Sequence, residues 1–146
     1  MPLSIDIRKA KPEDYKSIYE LVCQLENSQL NENYFMEVFN RTIHSATIFY
    51  WVIAMDKKVT GFISMHIQDL LHHEGRVAEV QELCVDLNYR NKGFGKILLE
   101  QAVLEAKQQQ CALIEVAANR KREATHRFYE REGWERSHFK FTRNLE

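Results

Sequence analysis

Apolar residues near the start of the chain recur first at every second position and then at every third or fourth position. Ile5 and Ile7 alternate with polar neighbours, which predicts a half-buried strand. Pro12 stands before two acidic residues, and this favours the start of a helix because proline pre-sets the first turn and acidic side chains suit the positive end of the helix dipole. The helix is predicted to end near Asn27-Ser28 and to turn these apolar residues inward: Tyr15, Ile18, Tyr19, Val22 and Leu25.

The next segments predict a second helix and a β-hairpin. The helix covers Glu32 to Ile43, and its apolar stripe is formed by Phe35, Val38 and Phe39. Thr47 to Met55 and Val59 to Ile67 are rich in β-branched and aromatic residues and are separated by three polar residues, which is typical of a hairpin. A polar loop over 72–76 then precedes a further strand from about Ala78 to Asp86.

The second half of the chain alternates between helical and strand-like patterns. A long helix is predicted after Gly95 as far as Gln109, with these apolar residues at helical spacing: Ile97, Leu98, Ala102, Val103 and Ala106. The remaining predicted elements are a strand over Ala112 to Ala117, a helix over Lys121 to Glu132 closed by Gly133, and a final strand over Trp134 to Thr142. The order β-α-α-β-β-β-α-β-α-β indicates an α/β fold with a mixed central sheet flanked by helices.

Length and composition add limits to this prediction. The 146 residues are enough for one domain over residues 1–146 with a core of its own. A net charge of −1 gives no general attraction to nucleic acid or to an anionic membrane. The three cysteines include no Cys-x-x-Cys pair, which argues against a disulfide framework or a structural zinc site. No signal peptide is recognised, so we expect a cytoplasmic, reduced protein.

The turn between the strand that ends near Asp86 and the long helix carries the clearest chemistry. It holds Gly93 and Gly95, and the first N–H groups of the following helix have no partner within that helix. The helix dipole adds positive charge at the same end, and Arg90, Lys92 and Lys96 add cationic side chains. The turn is therefore predicted to bind phosphate. It lacks the Lys-Ser/Thr ending of a Walker loop and the third glycine of a dinucleotide motif.

This segment resembles the acetyl-coenzyme A (acetyl-CoA) signature of the GNAT N-acetyltransferases, in which Leu-x-Val is followed by Arg-x-x-Gly-x-Gly. The resemblance implies the GNAT fold, acetyl-CoA as co-substrate, and strands four and five splayed apart to admit the pantetheine arm. It also implies that the segment from Arg90 to Lys96 wraps the pyrophosphate. The implied cofactor-binding residues are Leu83, Cys84, Val85, Arg90, Asn91, Lys92, Gly93, Phe94, Gly95, Lys96, Asn119 and Tyr129.

A second family feature lies in the last predicted helix. Its end, Phe128-Tyr129-x-x-x-Gly133-Trp134, resembles a GNAT segment with phenylalanine at the final position. In that family the tyrosine protonates the departing thiolate, and a phenol suits this role because it is protonated at neutral pH. The alternative for Tyr129 is a ring packed on the sheet with its hydroxyl at the surface. Asn119 matches a family asparagine that touches the cofactor arm, and otherwise forms a turn or cap.

The resemblance further implies a general base in the fourth strand. Glu82 matches the glutamate that precedes Leu-x-Val in this family and takes a proton from the acceptor amine directly or through water, with Glu79 as the reserve. A glutamate on an exposed strand face is the alternative. A main-chain N–H near Val85 would meet the oxyanion. An acyl-enzyme on Cys84 is disfavoured, because a strand cysteine is usually a small core residue and the sequence places no histidine to activate it.

Taken over its whole length, the chain resembles one GNAT subfamily, the aminoalkylphosphonate N-acetyltransferases. The resemblance is carried by Leu71-His72-His73, by Glu79-Val80-Gln81-Glu82-Leu83, and by segments that begin at His126 and Ser137. It implies an acceptor amine that bears a phosphonate, and a phosphonate dianion requires fixed donors. The predicted substrate-binding residues are His66, His72, His73, Glu79 and Arg122, with Arg76 and Lys121 as further cationic candidates.

Several alternatives stay open. His66, His72 and His73 with Glu79 or Glu82 would suit a divalent metal that in turn binds the phosphonate. The acceptor could instead be a polyamine, an aminoglycoside or a protein N-terminus. The chain could also be an acetyl-CoA-binding module without catalysis. Finally, the last predicted strand could pair with the sheet of a second subunit and give a homodimer.

Overall fold

The computed structural model describes residues 4–118 and 122–145. Within these ranges five strands form one sheet in the order of the sequence. The first strand pairs antiparallel with the second, the second with the third, and the third with the fourth. The strands are β1 (Ile5–Lys9), β2 (Ile48–Met55), β3 (Lys58–Leu70), β4 (Gly75–Val85) and β5 (Leu113–Val116). The α-helices are α1 (Tyr15–Glu26), α2 (Glu32–Thr42), α3 (Phe94–Gln108) and α4 (Glu123–Arg131). Short 3-10 turns cover Pro12–Asp14, Leu71–His73 and Leu87–Tyr89.

The chain divides into two compact units, Met1–Glu115 and Val116–Glu146. The first unit contains β1 to β4, the helices α1 to α3 and most of β5, and the second contains the end of β5 and α4. The expectation of one domain over residues 1–146 therefore stays a prediction. No helix within the described residues is long and apolar enough to cross a membrane.

The core of the first unit lies on both faces of the sheet. On one face Val52, Phe62 and Cys84 pack in a single buried cluster with residues of α1 and α2. Side chains alternate between faces along a strand, so the neighbouring residues Ile53 and Gly61 belong to the opposite face, where α3 packs. A Cβ on Gly61 would lie 2.8 Å from Ile53 Cγ2 and 3.0 Å from Leu98 Cδ1. Glycine at position 61 therefore allows α3 to approach the sheet closely.

The start of α1 is fixed by a buried carboxylate. Asp14 accepts a 2.7 Å hydrogen bond from the Lys11 N–H and a bidentate pair of bonds from the Arg8 guanidinium. Burial acts to raise the pKa of Asp14, but the bonds from Arg8 and Lys11 outweigh it and hold this pKa below its ordinary value. The contact ties β1 to α1, and because the first turn is a 3-10 turn, the α-helix starts at Tyr15 rather than at Pro12. Asn27, at φ 52°, ends it as predicted.

The predicted final strand over Trp134 to Thr142 is wrong, since the described residues 134–145 contain no strand. Phe139 and Phe141 alternate with polar residues but are 87% and 93% exposed. A strand is stabilised by the hydrogen bonds and side-chain contacts of a partner strand, so alternation by itself does not form one. The other predicted elements are present, and their ends shift by a few residues. The largest shifts are at β3, which runs on to Leu70, and at β4, which takes up the end of the predicted polar loop.

Candidate active site

Three polar side chains lie in a row across the sheet. Tyr50 of β2 is the cross-strand partner of Ser64 in β3, and Ser64 is the partner of Glu82 in β4. Directly opposed residues in neighbouring strands point to the same face, so all three side chains share the face that α1 and α2 cover. Ser64 is fully buried, and Glu82 is half-buried. The predicted base, Glu82, therefore lies beside a buried serine on a covered face of the sheet and not on an exposed strand face.

Ser64 holds Glu82 through two hydrogen bonds. Its hydroxyl donates to Glu82 Oε1, and its oxygen accepts the Glu82 N–H at 3.0 Å. The strand register changes at this point, because Ser64 pairs with Glu82 whereas Met65 pairs with Val80, which leaves Gln81 as the extra residue of a β-bulge. Bulges re-aim the side chains beside them. The Glu82 carboxylate is thus fixed by a buried neighbour at an irregular point of the ladder.

Glu82 lines a cavity of about 580 Å³ that lies between α1, α2 and the sheet. The lining is mainly aliphatic and aromatic, with a few polar residues contributed by the loop between the helices. The lining residues are Ile18, Val22, Glu26, Ser28, Leu30, Asn31, Tyr34, Phe35, Val38, Phe39, Tyr50, Phe62 and Glu82. Among these described residues the charged side chains are the carboxylates of Glu26 and Glu82, and none is Lys, Arg or His.

The apolar stripe of α2 lines this cavity, and only part of it packs on the sheet. Phe39 is buried as predicted, but Val38 is 47% exposed and Tyr34 is 69% exposed. Val38 belongs to the predicted apolar stripe, and its side chain lines an open space rather than the buried core. Tyr50 forms the sheet side of the same space, where its hydroxyl lies 2.6 Å from that of Thr42. Burial raises the pKa of Tyr50, so this phenol stays neutral at neutral pH.

Beyond Glu82, β4 leads directly to the predicted phosphate-binding turn. The strand ends at Val85, three residues and roughly 10 Å along the strand from Glu82. Asp86 then donates its N–H to the carbonyl oxygen of Thr60 at 2.7 Å and accepts the Asn88 N–H with its side chain at 2.9 Å. Arg90 folds back and donates from Nε to the carbonyl oxygen of Val85 at 3.2 Å. The turn is thereby anchored to the end of the strand.

The turn itself has the features expected of a phosphate site. Asn91 and Gly93 adopt left-handed backbone conformations, at φ 62° and 82°, and Gly93 is the residue that immediately precedes α3. A Cβ on Gly93 would meet no atom within 4 Å, so glycine is favoured here by the backbone conformation and not by packing. Gly93 supplies no side-chain cap to the helix. The N–H groups of the first turn are therefore positioned for an external anion.

The residues predicted to bind the cofactor differ in exposure. Five of them lie at the surface: Arg90, Asn91, Lys92, Gly93 and Lys96. Phe94 is only 3% exposed and anchors α3 in the core, so it offers a cofactor only its main chain. A diphosphate bound here would meet the main-chain N–H groups of a helix start and cationic side chains, and the residues present thus fit the diphosphate of acetyl-CoA.

Cys84 packs in the core cluster beside α1 rather than facing a ligand. Burial raises the pKa of its thiol to about 12, so the thiolate is disfavoured at neutral pH. This agrees with the expectation against an acyl-enzyme. Cys84 can contribute to a cofactor site through its main chain, as can its neighbours Leu83 and Val85, which are half-buried.

In the second unit, Tyr129 is enclosed by aromatic rings. Its ring makes edge-to-face contacts with Phe128 at 5.2 Å and with Trp134 at 5.6 Å between centroids, and 8% of the residue is exposed. Burial raises the pKa of Tyr129 to about 12, which keeps the phenol protonated at neutral pH. Tyr129 therefore has the protonation state of a proton donor, and its role as the acid stays a prediction. Asn119 and Lys121 lie outside the described residues.

The predicted phosphonate-binding residues of the first unit lie on β3, on β4 and in the turn between them. His66 lies opposite Glu79 in the β3–β4 pair, and the rings of His72 and His73 contact each other at 4.3 Å in the turn before β4. None of these residues lines the cavity. The side chain of Arg76 donates to the carbonyl oxygen of Gln109 at 3.0 Å. In the part of the chain that the structure describes, no group of three or more His, Cys, Asp or Glu residues is arranged to hold a metal.

Sequence reasoning missed Ser64, Tyr50 and the cavity. Between Phe62 and Ile67 the only polar residues are Ser64 and His66. A serine at a core position of an apolar strand was therefore the feature of the sequence that could have indicated Ser64. Tyr50 gave no such signal, because an aromatic residue in a strand is ordinary. The cavity depends on how far the two helices stand from the sheet, which local patterns do not determine.

Comparison with known proteins adds to this geometry. The sequence model of the Acetyltransferase (GNAT) family matches residues 15–134. The aminoalkylphosphonate N-acetyltransferase of Salmonella typhimurium (strain LT2) is 38% identical over 140 residues, which cover 96% of this chain and 91% of that protein. The fold is shared with a transcriptional regulator from Bacillus halodurans C-125, at a TM-score of 0.89 and 19% identity, with 97% of this chain and 100% of that one covered. It is also shared with an aminoglycoside N-acetyltransferase solved in complex with CoA, at a TM-score of 0.88 and 15% identity, with 99% and 97% covered.

Proposed function

Because the chain belongs to the GNAT family and is thus an acetyl-CoA-dependent acyltransferase, we propose that it acetylates the primary amine of a small molecule, with an aminoalkylphosphonate as the first candidate. The observation that carries the choice of acceptor is the 38% identity to the Salmonella enzyme over 96% of this chain. The proposal is of direct transfer through a ternary complex.

The proposed mechanism uses Glu82 as the base. The acceptor nitrogen loses a proton to Glu82, directly or through one water, and attacks the thioester carbonyl carbon to form the new C–N bond. The oxyanion that develops accepts a hydrogen bond from a main-chain N–H near Val85. Ser64 supports this step because its two hydrogen bonds fix the carboxylate that receives the proton.

The departing group is a thiolate, and Tyr129 is proposed to protonate it. When the C–S bond breaks, sulfur keeps the electron pair, and a proton from the phenol yields the free thiol of CoA. The support from the structure is that burial keeps Tyr129 neutral, with a pKa of about 12. The diphosphate of the co-substrate is proposed to bind the turn from Arg90 to Lys96, whose exposed cations and position at the start of α3 suit it.

The phosphonate is proposed to bind cationic donors outside the cavity, since the lining described above contains none. The candidates remain His66, His72, His73 and Arg122, with Glu79 opposite His66. A divalent metal at these histidines stays a second possibility for binding the anion. Unchanged activity in the presence of a chelator would contradict it.

The test of the proposed function is thiol release from acetyl-CoA with 2-aminoethylphosphonate, spermidine and a peptide amine, each with and without added divalent metal. Release with the phosphonate and not with the other two would support the proposed acceptor. Release only with the others would keep the acetyltransferase and remove the phosphonate. Absence of release with every amine would favour a non-catalytic acetyl-CoA-binding module.

We also propose a homodimer located in the cytoplasm. The support for the dimer is that residues 134–145 keep a strand-like alternation although the described chain has no strand there. Pairing with a second copy would satisfy the backbone groups of that segment. Sizing chromatography tests the assembly, and a monomer at working concentration would contradict it.

A further inference from the structure

The cavity beside Glu82 is larger than the first candidate acceptor requires. Its volume of about 580 Å³ lies in the range of roughly 300–1,000 Å³ that holds drug-sized ligands. A two-carbon aminoalkylphosphonate would leave most of this space unfilled. Apolar walls gain free energy when an apolar ligand surface displaces water from them, so the empty part favours an acceptor with a larger apolar body.

The charges of the lining residues also bear on the choice of acceptor. Among the described lining residues, the ionisable acids are Glu26 on the last turn of α1 and Glu82 on β4, and no side chain is cationic. An anion that enters such a space loses hydration and gains no oppositely charged partner, which is costly. An ammonium or neutral amine meets a carboxylate instead. The cavity therefore disfavours phosphonate and carboxylate groups and favours amines.

The aromatic content suggests how the body of the ligand is held. Phe35 and Phe39 come from α2, and Tyr50 and Phe62 come from the sheet, so aromatic rings face the cavity from two sides. Phe39, Tyr50 and Phe62 also pack in series, with centroids 5.8 and 5.5 Å apart, so they form a continuous aromatic wall. A flat apolar or aromatic group suits such walls.

We propose that this cavity is the acceptor site and that it binds a primary amine carried on an apolar or aromatic body, with the amine toward Glu82 and no anionic group inside. The inference rests on the proposed acetyltransferase function and places an apolar amine ahead of the aminoalkylphosphonate as its acceptor. If an aminoalkylphosphonate is acetylated, its anionic group lies outside the cavity.

The test uses two amines with the same two-carbon linker. 2-Phenylethylamine carries a phenyl ring where 2-aminoethylphosphonate carries the phosphonate. Binding of each to the protein in the presence of CoA is measured by isothermal titration calorimetry, and thiol release from acetyl-CoA is measured in parallel. The wild-type protein is expected to bind 2-phenylethylamine at least tenfold more tightly than the phosphonate.

A pair of variants locates the binding. Val38→Lys places a cation in the cavity wall at a position that is already 47% exposed, so the side chain can be accommodated without unfolding. It is expected to weaken 2-phenylethylamine binding about tenfold through charge repulsion and to improve binding of the phosphonate. Asn40→Lys adds the same charge to the same helix at an exposed position that does not line the cavity, and it is expected to change neither. Thermal melting verifies that both variants fold.

The outcomes separate this inference from the proposed function. Weak or absent binding of 2-phenylethylamine, or an equal effect of Val38→Lys and Asn40→Lys, would overturn the inference, and thiol release with the phosphonate would leave the acetyltransferase standing. Tight binding of 2-phenylethylamine that Val38→Lys alone weakens would support the inference. If that binding occurs but no amine releases thiol, the binding of an apolar amine in the cavity stands, whereas the proposed catalysis fails and with it the role of the cavity as acceptor site.

Discussion

The predicted phosphate-binding turn and the proposed acceptor cavity lie at two points of one strand and have opposite properties. The turn from Arg90 to Lys96 is exposed and cationic and presents main-chain N–H groups. The cavity is walled by aromatic rings, and the charges in its described lining are carboxylates. Roughly 10 Å of β4 connects Glu82 to Val85, where the turn is anchored.

The difference suits the proposal that one sheet binds two unlike substrates at the same time. An anionic co-substrate is recognised by backbone groups and surface cations, which a helix start supplies in almost any sequence context. In this proposal the amine is recognised by the side chains that α1, α2 and three strands bring together. Changes in the turn are therefore expected to affect acetyl-CoA, and changes in the cavity to affect the acceptor and the chemistry.

The largest effect is expected at the carboxylate of the cavity. Glu82→Gln keeps the shape but removes the group that takes the proton, and kcat is expected to fall about a hundredfold or more, while KM for acetyl-CoA stays within about twofold. Steady-state thiol release measures both constants. Glu20→Gln, an exposed position on α1, is the matched control. An unchanged kcat in Glu82→Gln would assign the base to another group.

A smaller fall in kcat is expected for the proposed acid. Tyr129→Phe removes the phenol proton but keeps the edge-to-face contacts with Phe128 and Trp134, and kcat is expected to fall about tenfold to a hundredfold with little change in acetyl-CoA binding. Burial raises the pKa of Tyr129 from 10.0 to about 12, so its ionisation does not reduce the wild-type rate below about pH 10. A pH–rate profile from 7 to 10 tests this. A variant as fast as the wild type would show that water or another group protonates the thiolate.

A third variant keeps Glu82 and tests whether the position of its carboxylate matters for the rate. Ser64→Ala removes the hydroxyl that holds the carboxylate, and kcat is expected to fall about tenfold with KM for acetyl-CoA unchanged. Thr60→Val is the control, because it removes an equally buried hydroxyl from β3 whose partner is the carbonyl oxygen of Ile53. Both variants lose some thermal stability. If both lose the same share of kcat, Ser64 has only a structural role.

The fold was largely predictable because its elements carry strong local patterns. Apolar residues at helical spacing predicted α1 and α3, and β-branched runs predicted β2 and β3, whose hairpin has a short polar connection. The final strand was not predictable, because Phe139 and Phe141 show the pattern of a strand but its formation depends on a partner. The surroundings of Val38 were not predictable either, since an apolar residue on a helix face can line a cavity as well as a core.

The candidate site was predictable only in part. Glu82 and the turn lie in continuous segments with a recognisable order of residue types. Ser64 and Tyr50 join Glu82 through strand register, 18 residues apart in the first case, so no local motif connects them. The histidines show the opposite case, in which residues adjacent in sequence do not contribute to the cavity. His72 and His73 are adjacent in sequence, which suggested a binding site, yet the turn that carries them does not line the cavity.

The most direct test of the account is a crossed kinetic measurement on Lys92→Gln and Val38→Lys, with acetyl-CoA and 2-phenylethylamine varied in turn. Lys92→Gln is expected to raise KM for acetyl-CoA about fivefold and to leave KM for the amine unchanged, because one exposed cation is lost from the turn. Val38→Lys is expected to raise KM for the amine about tenfold and to leave KM for acetyl-CoA unchanged. Separate effects of this kind would establish two sites that recognise opposite charges. If either variant changed both constants equally, or if the two effects were exchanged, the division between turn and cavity would be contradicted.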